Sequence, residues 1–123
     1  MLTDFNVEII LQFQHRLKRL QTELESATTP HEALPSQWHE IQETFEQQIM
    51  TLTPSASTAN FLPIWQSYLT EMHRQMRLIA IDLRFLKAAR QTTTAQTRRK
   101  QTCDRLQIFI QYCDAILAKL SSE

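Results

Sequence analysis

Apolar side chains recur at steps of three and four residues through almost all of residues 61–120, and the chain contains no glycine. Residues with this spacing share one face of an α-helix, so each apolar stripe must be covered by another helix. One stripe comprises Leu69, Met72, Met76, Ile79, Leu83 and Leu86, and another comprises Cys103, Leu106, Ile110, Cys113, Leu117 and Leu120. The absence of glycine removes the residue that builds phosphate-binding loops and tight catalytic turns most easily. The pattern therefore predicts a helical scaffold.

The same periodicity divides the 123 residues into four helices of a single domain. We predict helices over about residues 4–27, 35–52, 60–90 and 95–120, so that the third helix is long. Residue 34 precedes a proline and is expected to lie outside the second helix. Thr93 and Gln96 match a weak capping box, which places a tight connection near residues 91–94. An unbroken helix through that connection is the alternative. The predicted fold is an all-α antiparallel bundle.

The third helix has a second apolar face beside its main stripe, formed by Leu78, Ile81 and Phe85. A helix that is apolar over more than half of its circumference lies either at the centre of a bundle or against a second copy of the protein. We therefore predict a homodimer in which these three residues form the interface.

No set of residues indicates catalysis, a cofactor or a metal site. His39, Glu40 and Glu43 spell H-E-x-x-E, which lacks the second histidine of the zinc-protease pattern. Cys103 and Cys113 lie about 15 Å apart along one predicted helix, too far for a disulfide, so we expect reduced thiols in a cytoplasmic protein. No apolar run approaches the roughly 20 residues of a membrane span. We expect a protein that is not an enzyme and has no membrane-spanning segment.

Charge is distributed unevenly although the formal net charge is zero. Residues 1–60 carry eight acidic and three basic side chains, whereas residues 61–123 carry ten basic and five acidic ones. Either the helices attract one another within the bundle, or the basic half binds an acidic partner.

A dense basic cluster lies where the third and fourth helices would form a hairpin. Its members are Arg84, Lys87, Arg90, Arg98, Arg99, Lys100 and Arg105, with Asp104 as the one acidic residue among them. We predict that these seven residues make one end of the bundle electropositive and bind an acidic peptide or protein tail. A solvated helix end that keeps the apolar stripes soluble is the alternative. Nucleic acid is a weaker candidate because the aromatic residues fall on the apolar stripes.

In the predicted third and fourth helices, apolar packing residues and a few polar residues form a pattern around the segment F-L-x-A-A-R-Q at residues 85–91. The positions are His73, Arg74, Arg77, Leu78, Asp82, Leu83, Phe85, Leu86, Ala88, Ala89, Arg90, Gln91, Thr94, Gln96, Arg98, Asp104, Arg105, Leu106, Ile110, Tyr112 and Cys113. This pattern resembles the heterocyst frequency control protein PatD family of cyanobacteria over roughly residues 60–117. Weaker similarity precedes it at Phe45, Gln47, Gln48, Ile49 and Leu52.

The resemblance implies a small cytoplasmic regulator that contacts the tubulin-like division protein FtsZ and influences its assembly, linking division to heterocyst frequency. FtsZ proteins have acidic, flexible C-terminal tails, for which a basic helix end is a suitable docking surface. The family also occurs in cyanobacteria without heterocysts, so regulation of division is the broader expectation. A helical adaptor or structural protein with another acidic partner, and a basic nucleic-acid binder, remain the alternatives.

Overall fold

A computed structural model describes residues 4–26, 34–52 and 62–121 of the chain. These residues form four helices and no strand, which confirms the predicted all-α class. The elements are α1 (Asp4–Glu25), α2 (Leu34–Thr44) with a π-helical turn after it (Phe45–Ile49), α3 (Leu62–Ala88) and α4 (Thr92–Ser121). The segments between the first three predicted helices, apart from Leu34, lie outside the described residues.

Hydrogen bonds between side chains and distant residues show that α1 runs antiparallel to α4. The Gln14 amide donates to the Ile110 carbonyl at 3.1 Å, whereas the Gln21 amide, two turns later in α1, donates to the Cys103 carbonyl at 3.2 Å. A later donor in α1 thus binds an earlier residue of α4, as in an antiparallel pair of helices.

The other helices alternate in direction in the same way. Tyr68 packs against Tyr112 with ring centroids 6.0 Å apart, while a later residue of α3, Asp82, pairs with an earlier residue of α4, Arg105. Arg16 of α1 binds Thr44 at the end of α2, whereas the later residue Arg19 lies beside the earlier residue Gln37, so α2 runs antiparallel to α1. Contacts also join α2 to α3. The four helices therefore form an antiparallel bundle. Within it α4 packs extensively on both α1 and α3, whereas α2 approaches α3 at few positions.

Three phenylalanines from different elements meet at the centre of the core. The ring of Phe13 in α1 lies 5.3 Å from that of Phe109 in α4 and 5.9 Å from that of Phe45 in the π-helical turn. The rings of Phe45 and Phe109 are 6.2 Å apart and edge-on, a favourable arrangement for aromatic pairs. These contacts tie the short second helix to the two-helix layer of α1 and α4.

The predicted apolar stripes face this core. In α3 the stripe residues Met72, Met76, Ile79 and Leu86 are buried, with Leu69 and Leu83 packed partly buried beside them. In α4 the buried members are Leu106, Ile110 and Cys113, and Phe109 and Ile116 double the stripe. Cys103 and Leu117 are partly buried, and the side chain of Leu120 lies outside the described part of the structure. The helical period therefore identified the core positions correctly, because helix geometry alone places residues three and four apart on one face.

The starts of two helices and the end of one differ from the predictions. The second helix, with its π-helical turn, ends at Ile49 instead of near residue 52. The α2 helix already includes Leu34, which is buried, so the following proline occupies the first turn, where its missing N–H costs nothing. The α4 helix begins at Thr92 instead of near residue 95, since the Ala95 N–H donates to the Gln91 carbonyl at 3.0 Å. Thr93 thus lies inside the helix and does not cap it. The predicted break between α3 and α4 is confirmed, but it lies at residues 89–91 instead of near residues 91–94.

The hydrogen-bond ladder of the second helix changes at Thr44, a feature that the sequence did not predict. The Met50 N–H donates to the Phe45 carbonyl at 2.9 Å, five residues back instead of four. The Thr44 hydroxyl donates to the Glu40 carbonyl and itself accepts a hydrogen bond from Arg16 of α1. Back-bonding of a threonine hydroxyl and contacts from a neighbouring side chain both distort a helical ladder at such points.

Candidate partner-binding surface

The seven basic residues of the predicted cluster do not share one environment, and Arg105 is the most deeply engaged of them. Its Nε lies 2.5 Å from Oδ2 of Asp82, whose side chain is 5% exposed, while the Arg105 side chain is 33% exposed. The guanidinium N–H does not point along the line to that oxygen, so the contact is an ion pair without a linear hydrogen bond. Arg105 therefore neutralises a buried carboxylate of α3 and is occupied within the bundle.

Two further members of the cluster also bind within the protein. Arg99 donates through Nη1 to the Leu24 carbonyl at 3.2 Å, where the last carbonyls of α1 have no partner in their own helix. The guanidinium carbon of Arg98 lies 4.6 Å from the ring centroid of Phe85, a cation–π contact between α4 and α3. Both residues thus fasten helices to one another.

The fourth engaged residue, Lys100, makes a weaker contact. Its Nζ lies 4.0 Å from Oδ2 of Asp104, one turn further along α4, and both side chains are largely exposed. Exposed pairs of this kind contribute little to stability and are easily exchanged for an external anion.

The remaining basic residues, Arg84, Lys87 and Arg90, are exposed, and they make no ion pair with any residue of the described ranges. They lie at the carboxyl-terminal end of α3 and just beyond it, where the helix carbonyls favour cations. These three residues, here called the free basic group, are the part of the cluster that is available to a partner.

A groove lies beside the free basic group, between α2 and α3. One cavity of about 260 Å³ is lined by apolar side chains, including Trp38 and Leu83, together with Arg84 and Lys87. A second cavity, of about 370 Å³, is lined by Met76 and Ile81 among others. The two cavities share Gln42, Ala80 and Arg84. They are therefore neighbours along the same side of α3, and together they are called the α2–α3 groove below.

The groove was not predicted from the sequence, and neither was the role of most of the residues that line it. Arg77, exposed on α3, and Trp38, buried on α2, both line it. The available signal was the alignment of Arg77, Ala80 and Arg84 at steps of three and four residues, which puts two cations and a small residue on one face of α3. What the sequence does not contain is the distance between α2 and α3.

The predicted dimer residues lie partly on the surface. Leu78 is partly buried, whereas Ile81 and Phe85 are 44% and 50% exposed and are one helical turn apart on α3. Large apolar side chains at this exposure form a small unsatisfied surface patch.

The cysteines are unsuited to nucleophilic chemistry. Burial raises the pKa of the Cys113 thiol to about 12, with a smaller contribution from the nearby Asp114 carboxylate. Burial likewise raises the pKa of Cys103 to about 11, and the carboxylates of Glu25 and Asp104 add to the effect. Both thiols are free, and at neutral pH they stay protonated and unreactive.

The other candidate chemistry is also accounted for by simple surface contacts. Nε2 of His39 lies 3.6 Å from Oε1 of Glu43, and both side chains are exposed to solvent. Across residues 4–26, 34–52 and 62–121, no group of three histidine, cysteine or acidic side chains could hold a metal ion. Nor does any helix of these ranges combine the length and apolar character that crossing a bilayer requires.

Comparison of the chain with models of protein families, with curated proteins and with solved structures finds no match. The candidate site is thus defined by its own geometry: a helical bundle with three available cations at the end of α3, next to an apolar groove.

Proposed function

We propose that this protein is a non-enzymatic regulator that binds the division protein FtsZ and modulates its assembly. Two observations support the proposal. The sequence of the third and fourth helices resembles that of the PatD family, and the free basic group provides cations for an acidic tail. In cyanobacteria that form heterocysts, this activity would connect division to heterocyst frequency. The proposal places the protein in the cytoplasm, where FtsZ assembles.

The single observation that carries the proposal is the division of the basic cluster into engaged and available residues. Arg98, Arg99 and Arg105 contact Phe85, Leu24 and Asp82 respectively. Arg84, Lys87 and Arg90 are exposed and without ion pairs within the described residues. The charge of a cation that pairs with no internal carboxylate is not cancelled by a neighbour, so it attracts an approaching anion more strongly. Such attraction accelerates association at low ionic strength.

The test is co-sedimentation with FtsZ polymers. The variant R84E/K87E/R90E replaces the free basic group by acidic residues, and we expect it to lose most of the co-sedimentation seen for the wild type at low salt. Reversal of Arg98 or Arg99 would be a poorer test, because it also breaks contacts between helices.

A matched control is K18E/R19E/R74E, which changes the net charge by the same amount on other exposed positions. Arg74 makes an exposed ion pair with Glu71, and the exposed Arg19 pairs with Glu23, whose side chain is 23% exposed, so thermal unfolding must first show that this control folds like the wild type. This control should still pellet with FtsZ. If the wild type neither pellets with the polymers nor alters their assembly, the proposed function is wrong, and an adaptor for another acidic partner becomes the better explanation.

We also propose that the protein forms a homodimer through Leu78, Ile81 and Phe85 of α3. The support is the exposure of Ile81 and Phe85 next to the partly buried Leu78. Covering such side chains removes apolar surface from water, at about 25 cal/mol per Å². The dimer interface shares Ile81 with the α2–α3 groove, and its test, given in the Discussion, uses the protein without a partner.

A further inference from the structure

We propose that the α2–α3 groove is a docking site for an acidic amphipathic helix of a partner protein. The inference rests on the proposed function in one respect, since it takes an acidic partner as the ligand. It adds where on the bundle that partner binds, and what form the bound segment takes.

The shape of the groove favours a helix as the occupant. Its two walls are antiparallel helices, whose backbone groups are used within their own ladders, so an extended strand would find no edge to pair with. The lining residues on α3 extend from His73 to Lys87, which corresponds to about 21 Å at the standard rise. A helix of roughly 15 residues, or four turns, has the same length.

Much of the groove is lined by apolar side chains, and one of these is small. Ala80 lines both cavities and lies among larger neighbours, including Leu83 and Met76. A small residue at this position lets an apolar anchor of the incoming helix approach the α3 backbone. Trp38, which lines one end, has an indole N–H without a hydrogen-bond partner in the described residues. Its fluorescence therefore provides a reporter inside the site.

The charged side chains that line the groove favour a negatively charged ligand. Three cations line the α3 side, namely Arg77, Arg84 and Lys87, and their positions are separated by seven and three residues. They thus lie within one face of α3, spread over about 15 Å. The other titratable residues that line the groove are Glu46 and His73. With one carboxylate against three permanent cations, the groove favours a helix with acidic residues along one flank.

The binding experiment uses a fluorescein-labelled synthetic peptide of roughly 15 residues with leucines at helical spacing and glutamates beside them. Fluorescence anisotropy compares it with a scrambled peptide of the same composition and with a version in which lysine replaces glutamate. We expect the acidic amphipathic peptide to bind at least about tenfold more tightly than either comparison peptide. In a W65F background, Trp38 emission should change on binding. Equal binding of the scrambled peptide would overturn the proposal.

Two variants locate the site. Ala80→Phe fills the centre of the groove, and R84E/K87E reverses two cations of its rim. Each should weaken peptide binding by about tenfold or more, whereas K18E/R19E, with the same change of charge as the second variant, should bind normally. Because R84E/K87E alters exposed side chains, its folding is secure even if Ala80→Phe lowers stability, which thermal unfolding measures. Wild-type binding by R84E/K87E, or by folded Ala80→Phe, would refute the proposal.

Two experimental outcomes distinguish the groove proposal from the proposed binding of FtsZ. If FtsZ polymers pellet the wild type and folded Ala80→Phe equally, the proposed function survives and the groove proposal fails. If the peptide binds the groove but FtsZ does not pellet the protein, the groove proposal survives and the assignment to FtsZ fails. Light scattering provides a third check. A wild-type dimer that Ala80→Phe converts to monomer would show that a second copy occupies the groove, and would also overturn the proposal.

Discussion

The ion pair between Asp82 and Arg105 decides whether Arg105 belongs to the structure or to the partner-binding surface, and it predicts unequal costs for two substitutions. Replacing Arg105 by Met leaves the Asp82 carboxylate, 5% exposed, without a charged partner in the described residues. Breaking a buried pair from this side costs about 3–5 kcal/mol. One third of the Arg105 side chain is exposed, and solvent weakens the pair. We therefore expect R105M to lower the free energy of unfolding by about 3 kcal/mol, near the lower limit.

Replacing Asp82 by Asn should cost less, about 1 kcal/mol. The asparagine side chain carries no charge that needs a partner, and the Arg105 guanidinium can turn toward the solvent that it already contacts. The double variant D82L/R105M removes both charges and fills the space with apolar atoms. Such replacements are often neutral or stabilising, so the double variant should lie within about 1 kcal/mol of the wild type and be more stable than R105M alone.

The assay is urea unfolding followed by far-ultraviolet circular dichroism, with the free energy of unfolding taken by linear extrapolation. A loss of about 3 kcal/mol is readily measured against a typical total of 5–15 kcal/mol. If R105M costs less than about 1 kcal/mol, or if the double variant D82L/R105M is no more stable than R105M, the carboxylate is hydrated and the reasoning is wrong. Arg105 would then count again as a candidate partner-binding residue. If instead R105M loses about 3 kcal/mol, Arg105 has a structural role, and R105M that remains folded should still pellet with FtsZ.

Three further predictions concern other parts of the bundle. Phe109→Ala should lower stability by about 3–5 kcal/mol, whereas Ile108→Ala, at a 40% exposed neighbour, should cost less than about 1 kcal/mol; equal losses in urea unfolding would contradict the position of the phenylalanine core. Because the pKa of Cys113 is raised from 9.0 to about 12, its alkylation by iodoacetamide at pH 8 should be about a thousandfold slower than for an ordinary thiol, should accelerate with rising pH, and should become fast on unfolding; rapid alkylation of the folded protein would disprove its burial. The variant I81E/F85E should be monomeric by light scattering and the wild type dimeric, whereas a wild type that is monomeric at every concentration measured would exclude the proposed dimer.

The positions that face the core could be predicted from the sequence because they depend on local geometry. Phe13, Leu17 and Leu20 of α1 follow one another at steps of three and four residues, and all are buried. The end of α3 was placed within two residues, since the polar and threonine-rich segment after it has low helix propensity. The π-helical turn Phe45–Ile49 carried no such signal, because its local sequence is compatible with an ordinary helix and the contact with Arg16 comes from another element.

The sequence predicted which basic residues form the candidate site, but not which of them are available to a partner. Seven basic residues in a short stretch of sequence indicate a positive helix end, whichever residues they contact. The sequence by itself determined the helices, their apolar faces and the excess of cations near the α3–α4 turn, because these depend on spacing along the chain. The tertiary structure alone decided that Arg105 neutralises Asp82 while Arg84 and Lys87 border an open groove. Those relations depend on the rotation and separation of neighbouring helices, and a difference of a few ångströms between two helix axes changes an available cation into a buried ion pair.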